Sequence, residues 1–209
     1  QETVTAANRD AAIRSLEDIS RAVFAKDLED NFMHRGWLLR WRQVIPEYID
    51  WQIERERSWR VAGTEIAVET RRGELTLRGR IDRLDRGGEG GGIVDYKTGI
   101  TPHLDEVLSG EEVQLPFYVL LADQPVQRLE YLSLDSNRFG SRAVMEGEIL
   151  QDIVAKNGER LRTVMNQLAN GAPAPAWGDD HTCRFCAMAG LCRRAVWLET
   201  ASPPSLPNT

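Results

Sequence analysis

The stretch from Gly63 to Lys97 constrains this chain more than any other. Its hydrophobic period is two, which suits a strand with one face buried. Thr64-Glu65-Ile66-Ala67-Val68-Glu69 reads as a strand and Arg71-Arg72-Gly73-Glu74 as a turn. Leu75 to Asp82 alternates again. A glycine-rich turn from Gly87 to Gly92 leads to a third strand, Ile93-Val94-Asp95-Tyr96-Lys97. Alternating runs joined by short turns predict an antiparallel meander.

Helical periods flank the meander. Before it, residues 3–31 repeat apolar positions at Ile13, Leu16, Ile19, Val23 and Leu28. A second helical pattern runs from Phe32 to about Trp59, interrupted at Pro46 and rich in Trp37, Trp41, Trp51 and Trp59. After the meander, Pro102 to Ser109 is a loop or short helix, and Glu111 to Ala122 a compact amphipathic helix. Val126 to Leu134 returns as a strand, and Arg142 to Glu146 is a candidate for another. Glu148 to Gly171 is a long helix with Ile149, Ile153, Leu161, Val164 and Leu168 on its apolar side, ended by Ala172-Pro173-Ala174-Pro175. The fold class is therefore mixed α/β (α+β). Its organisation is an N-terminal helical region (1–62), a core with a long packing helix (63–171), a cysteine segment (172–200) and a Pro/Ser tail (201–209).

Composition excludes several classes. With 42% hydrophobic and 28% charged residues in 209, the chain carries enough apolar surface for a core and is not a disordered one. No run of about 18 apolar residues exists to span a membrane. The first thirty residues are charged throughout, unlike a secretory leader. The sequence opens on Gln1, which reads as a piece of a longer polypeptide. A net charge of -6 gives no global sign of a nucleic-acid binder, although a bound divalent ion or a local arginine patch can replace global charge. Three cysteines, all between positions 183 and 192, make a poor disulfide framework and a better metal site, which suits a reducing, cytoplasmic setting.

Strand parity then gathers chemistry. Arg78, Arg80 and Asp82 share one expected face, and Leu77, Gly79 and Ile81 the other. Asp95 and Lys97 point together, and Val94 and Tyr96 oppositely. Pairing around the Gly87–Gly92 turn lets Asp82 and Asp95 converge. Two adjacent carboxylates stay ionised most readily with a cation between them, and oxygen ligands suit Mg²⁺ or Mn²⁺. A lysine beside that ion can stabilise charge building on a phosphate. Two carboxylates and a lysine on adjacent strands are the minimum needed to hydrolyse a phosphodiester. Gln114 and Tyr118, four residues apart on one helical face, can reach the lysine or the substrate backbone.

Gly79-Arg80-Ile81-Asp82-Arg83, Ile93-Val94-Asp95-Tyr96-Lys97-Thr98-Gly99 and Gln114-Leu115-Pro116-Phe117-Tyr118, in this order, resemble the signature of the RecB-type branch of the PD-(D/E)XK nucleases. Ile81 stands where the family label has proline. The resemblance spans roughly Thr64 to Cys192. It implies a restriction-endonuclease-like αβββαβ core with extra N-terminal helices and a C-terminal helix plus cysteine segment. Asp82 and Asp95 would hold metal, joined by the Tyr96 carbonyl oxygen. Lys97 would be the catalytic lysine, and Gln114 and Tyr118 would support it and the substrate. His34 loosely matches a metal-facing histidine of the family, though the glycine before it and the Leu-Glu after it are missing. Glu65 and Glu69 compete for a metal-facing glutamate, and parity does not choose between them.

The segment Cys183-Arg184-Phe185-Cys186, followed by Cys192, resembles the iron–sulfur staple of AddB-like nucleases. That implies a [4Fe–4S] cluster in the parent protein. No fourth, upstream cysteine exists here, so the site would be incomplete in this chain, with His181 as a local fourth ligand that would equally suit Zn²⁺. Between Arg71 and Arg86, six arginines (Arg71, Arg72, Arg78, Arg80, Arg83 and Arg86) outnumber three acids, which suits a DNA substrate; Arg78, Arg80 and Arg83 are the expected phosphate contacts. The expectation is a Mg²⁺- or Mn²⁺-dependent deoxyribonuclease, the exonuclease domain of an AddB-like repair and recombination protein fed by a helicase-type partner. No Walker A pattern occurs in the chain. The alternatives are a catalytically silent nuclease fold used for DNA binding or assembly, and a CRISPR-adaptation nuclease.

Overall fold

The computed structural model describes residues 3–28, 32–88, 90–173, 183–184, 186–192 and 194. They form two compact units, residues 1–161 and 162–209. In the first, a 3-10 turn (Ala6–Asn8) precedes α1 (Arg9–Leu28) and α2 (Phe32–Arg55). The strands β1 (Arg60–Arg72), β2 (Leu75–Gly87) and β3 (Gly90–Lys97) follow, then α3 (Leu104–Leu108), α4 (Gln114–Leu121), β4 (Val126–Ser133) and β5 (Gly140–Glu146). Helix α5 (Gly147–Ala169) begins in this unit and ends in the second, which also holds α6 (Ala189–Cys192). Among the described residues no helix is long and apolar enough to cross a membrane.

Strand order is β1-β2-β3-β4-β5. All neighbours are antiparallel except β3 and β4, so α3 and α4 form the crossover that a parallel pair requires. This is the mixed sheet flanked by helices expected of a restriction-endonuclease-like core. One face carries the apolar core. Ile81, Ile93, Leu129, Tyr131 and Met145 pack there with Val107 of α3, Leu115 and Leu121 of α4, and Leu150 and Ile153 of α5.

The other face meets α2, and the material there is ionic. Arg55 of α2 is paired with Asp85 of β2 and Glu130 of β4, both fully buried. Arg83 reaches the second Asp85 oxygen at 2.7 Å and Gln52 of α2 at 2.7 Å. Arg128 pairs with Glu130 at 2.9 Å and with Glu146 at 2.5 Å. Three arginines face three carboxylates, and the rings of Trp51 and Trp59 lie 5.0 and 5.6 Å from the Arg55 guanidinium. Buried charges require such partners on every side.

Several expectations are corrected. Pro46 does not interrupt α2, which runs through it. Val44, Ile45 and Ile49 flank the proline and are buried, and that packing outweighs one lost backbone hydrogen bond. Ile19 and Val23 of α1 lie exposed rather than inward. The α1–α2 hairpin is pinned instead by Trp41 Nε1 donating to Ser20 Oγ at 2.8 Å and by Arg9 holding Asp50. Strand β1 starts at Arg60, before the expected Thr64. Gly90 to Gly92 are strand rather than turn. A Cβ on Gly90 would stand 2.7 Å from Gln127 Cγ, so the glycines there admit close neighbours.

The expected common face of Arg78, Arg80 and Asp82 does not form. Leu77 and Ile81, at odd positions, join the same apolar cluster as Leu84 at an even one. The inward phase of β2 therefore shifts between Ile81 and Leu84. Arg78 and Arg80 stay in solvent while Asp82 turns to the α4 side.

Candidate active site

The site forms where the β2–β3 ladder stops. Its last paired positions towards the carboxylates are Arg83 and Val94, so Asp82 and Asp95 come next on the two strands. The β3–β4 ladder continues further, through Lys97 opposite Ser133. Among the described residues, Asp95 to Lys97 thus have a strand neighbour on one side only. On the open side the Tyr96 N–H donates to Asp82 Oδ2 at 3.1 Å. Within a strand the N–H and C=O of one residue point the same way. The Tyr96 carbonyl therefore also faces the Asp82 side, beyond the end of the ladder.

Asp95 and Lys97 share the core-side face with Ile93. Lys97 Nζ lies 2.8 Å from Asp95 Oδ2 and donates to Gln114 Oε1 at 2.6 Å. Gln114 in turn donates through Nε2 to the Tyr118 hydroxyl at 2.9 Å. The Tyr131 ring lies 5.0 Å from the ammonium. Helical spacing brings Gln114 and Tyr118 together, and the crossover sets α4 beside β3. The five residues Asp82, Asp95, Lys97, Gln114 and Tyr118 are thereby joined in one place.

Asp95 is only 1% exposed, and its Oδ2 meets the Lys97 ammonium at 2.8 Å. Burial pushes the Asp95 carboxyl above its ordinary range, Lys97 opposes this, and the charges of Asp82 and Glu112 add to it. A buried carboxylate held up by burial and by the charges of neighbouring carboxylates, with one lysine against it, is the environment a hard cation relieves. The donor set of Asp82, Asp95 and the Tyr96 carbonyl therefore fits Mg²⁺ or Mn²⁺. Burial likewise raises the Tyr118 phenol, with Gln114 opposing, so Tyr118 remains a neutral hydroxyl.

Other expected residues fall elsewhere. Glu69 pairs with Arg78 at 2.7 Å and Glu65 with Arg80 at 3.6 Å, all on the exposed hairpin. Glu65 has φ 51°, a strained value for a non-glycine residue that accompanies a break in the alternation of β1. Neither glutamate, nor His34, is among the charges acting on Asp95. His34 stacks on Trp37 at 4.8 Å and meets Phe24 edge-on. Arg83 is 2% exposed and committed to Asp85, Gln52 and the Tyr96 hydroxyl, so the expected phosphate contact at Arg83 is corrected. Cys183, Cys186 and Cys192 are free thiols. Among the described residues no three His, Cys, Asp or Glu side chains are grouped as metal ligands. His181 lies outside the described residues.

Sequence reasoning missed Glu112. Its Oε1 accepts the Gln114 N–H at 2.9 Å and its charge acts on Asp95. Its position just before the α4 N-terminus, where a carboxylate satisfies free amides, was the available signal. Behind the sheet, a cavity of about 620 Å³ lies among α1, α2 and β1, with Tyr48, Gln52, Arg83 and Tyr96 in its wall.

A mixed five-stranded sheet, with a carboxylate on one strand where its ladder to the next stops and Asp-x-Lys at the end of that next strand, defines a nuclease fold. The model of the PD-(D/E)XK nuclease superfamily matches residues 2–193, and the chain belongs to that superfamily. No curated protein matches the chain.

Proposed function

We propose that this chain is a Mg²⁺- or Mn²⁺-dependent deoxyribonuclease that hydrolyses phosphodiesters at the Asp82–Asp95–Lys97 site. The observation that carries this reading is the buried Asp95 oxygen beside Asp82, with Lys97 fixed between Asp95 and Gln114. Asp82, Asp95 and the Tyr96 carbonyl would hold the ion, which supplies Lewis-acid stabilisation of phosphate charge when bound. Lys97, steered by Gln114, offers its ammonium to the charge that develops on the phosphate. Tyr118 fixes the Gln114 amide, so the Gln114 oxygen faces the lysine. Arg78 and Arg80, exposed on the β1–β2 hairpin, are within the chain's surface available to DNA phosphates once they exchange their glutamate partners.

The finer reading is the exonuclease domain of an AddB-like helicase–nuclease in DNA repair and recombination, with a helicase-type partner supplying the strand. The resemblance of the three sequence blocks supports it. On the same ground, the cysteine segment would serve a [4Fe–4S] cluster or Zn²⁺ completed by ligands outside the described residues. The test is degradation of linear and circular DNA by the chain with Mg²⁺, Mn²⁺ or chelator. Metal-dependent shortening of linear DNA from its ends is expected. Binding without cleavage in either metal would overturn the nuclease reading in favour of a silent DNA-binding fold.

A further inference from the structure

The site depends on Tyr96 in three ways. Its N–H holds Asp82 Oδ2, leaving the other Asp82 oxygen for an ion. Its carbonyl faces the same side. Its neighbours on the strand, Asp95 and Lys97, point to the opposite face from its ring, so a rotation of Tyr96 about the strand axis turns both. Its backbone is unpaired by β2, because the ladder has ended. Something other than strand pairing must set its orientation on that side.

The ring of Tyr96 supplies the answer. Its hydroxyl lies 3.3 Å from Arg83 Nη1 and 3.4 Å from the Tyr48 hydroxyl. Arg83 cannot follow a moving partner. Asp85, itself fully buried, takes its Nε; Gln52 takes Nη1; and the Trp51 ring lies 5.1 Å from the guanidinium. Asp85 is anchored in turn by Arg55, and Arg55 by Glu130 of β4. The chain Glu130–Arg55–Asp85–Arg83 thus crosses from β4 through α2 to β2 and ends on the Tyr96 hydroxyl.

We infer that Arg83, Tyr48 and the Tyr96 hydroxyl are positioning residues that set the metal-binding geometry from the reverse face of the sheet. The inference rests on the proposed nuclease site. It assigns Arg83 a role through Tyr96, in place of a contact to DNA. Removing the hydroxyl leaves the half-buried ring at the cavity wall and frees its rotation. The ion-binding set then has to be ordered at the moment of binding.

The experiment uses the full chain and three variants, Tyr96→Phe, Tyr48→Phe and Arg83→Lys. Mn²⁺ affinity is measured by calorimetry and by the spin resonance of free Mn²⁺. Amide hydrogen exchange across residues 95–97 is measured in metal-free protein. Tyr96→Phe should weaken Mn²⁺ binding about three- to tenfold and speed exchange at 95–97, while its melting temperature stays near that of the parent. Tyr48→Phe, which leaves Arg83 on Tyr96, should show a smaller loss in the same direction. In cleavage assays the Mn²⁺ needed for half-maximal rate should rise, with KM for DNA and its salt dependence unchanged. Unaltered Mn²⁺ affinity and exchange in Tyr96→Phe would overturn the inference. So would an Arg83→Lys variant that raises KM for DNA and leaves Mn²⁺ affinity intact, since that returns Arg83 to the substrate. A parent chain that binds Mn²⁺ and cleaves no DNA sinks the nuclease reading alone, because affinity and exchange still judge the positioning role.

Discussion

Replacing Arg55 with methionine removes the centre of the ionic layer under α2. Arg55 is the shared partner of Asp85 and Glu130, whose side chains are both 0% exposed. In the variant Asp85 keeps Arg83 and Glu130 keeps Arg128. Each buried carboxylate therefore loses one charged hydrogen bond, at about 1.5–3 kcal/mol apiece. Methionine recovers part of the packing against Trp51 and Trp59, and the unpartnered Arg55 Nη2 is no longer buried. The expected net loss is about 3–5 kcal/mol, in the range found when one partner of a buried ion pair is removed. For a chain of this size that lowers Tm by about 8–15 °C. Scanning calorimetry at neutral pH reads it directly, with urea unfolding as a check. The pH series adds a sign. Burial pushes the Glu130 carboxyl up, but Arg128 and Arg55 more than offset it and hold the group below its ordinary range. Such a group contributes stability above the ordinary glutamate value of about 4.5, and loses it as pH falls through its depressed one. The gap between parent and variant should be widest near neutrality and narrow below pH 4.5. A loss under about 1 kcal/mol at neutral pH, or a gap that widens in acid, would refute this account.

Three further outcomes are expected. Asp95→Asn should abolish Mn²⁺ binding and yet raise Tm of the metal-free protein by about 2–4 °C, because Asp95 is held above its usual range and its ionised form is a cost at neutral pH; a lower Tm would show that the carboxylate is comfortable where it is. Lys97→Ala should retain Mn²⁺ and DNA binding while cutting single-turnover cleavage about 10²–10³-fold, and undiminished turnover at saturating metal would remove Lys97 from the chemistry. Metal analysis and absorption spectra of anaerobically prepared protein should show iron bound through Cys183, Cys186 and Cys192 only where outside ligands complete the set; zinc without iron in the longer polypeptide would leave a zinc staple in place of the cluster.

Reading the sequence worked best where one physical cause dominated. The first two strands of the meander were legible because apolar and polar positions alternate over residues 66–69 and 75–81, the third because its apolar run closes on Asp95 and Lys97. Gln114 and Tyr118 were legible as one helical face. The sequence was opaque where distant packing decides. Nothing local reveals that β2 shifts phase after Ile81, so Arg83 looked like a surface cation alongside Arg78 and Arg80. Its burial depends on Gln52 of α2 and on Asp85, and only the tertiary structure brings Gln52 near. Pro46 misled for a similar reason, since its neighbours' burial is invisible to a helix rule. Glu65 and Glu69 shared a parity as expected, but their cross-strand arginines, not the metal site, determine what they touch.

Among the described residues, the same early end of the β2–β3 ladder that opens the site also leaves β2 without a strand neighbour from Leu75 to Asp82 on that side. Unpaired backbone of this kind is a template for sticking to another copy of itself. The chain guards it by two means. Leu121 and Phe117 of α4 lie over Gly79, where an added Cβ would stand 2.5 Å from Leu121 Cδ1, so the helix packs closely on the inner face beside the open edge. On the outward side Arg78 and Arg80 place charge at alternate positions, each paired with a glutamate of β1. An active-site opening cut into a sheet invites self-association, and here a closely packed inner face and two charged outward positions flank the open edge.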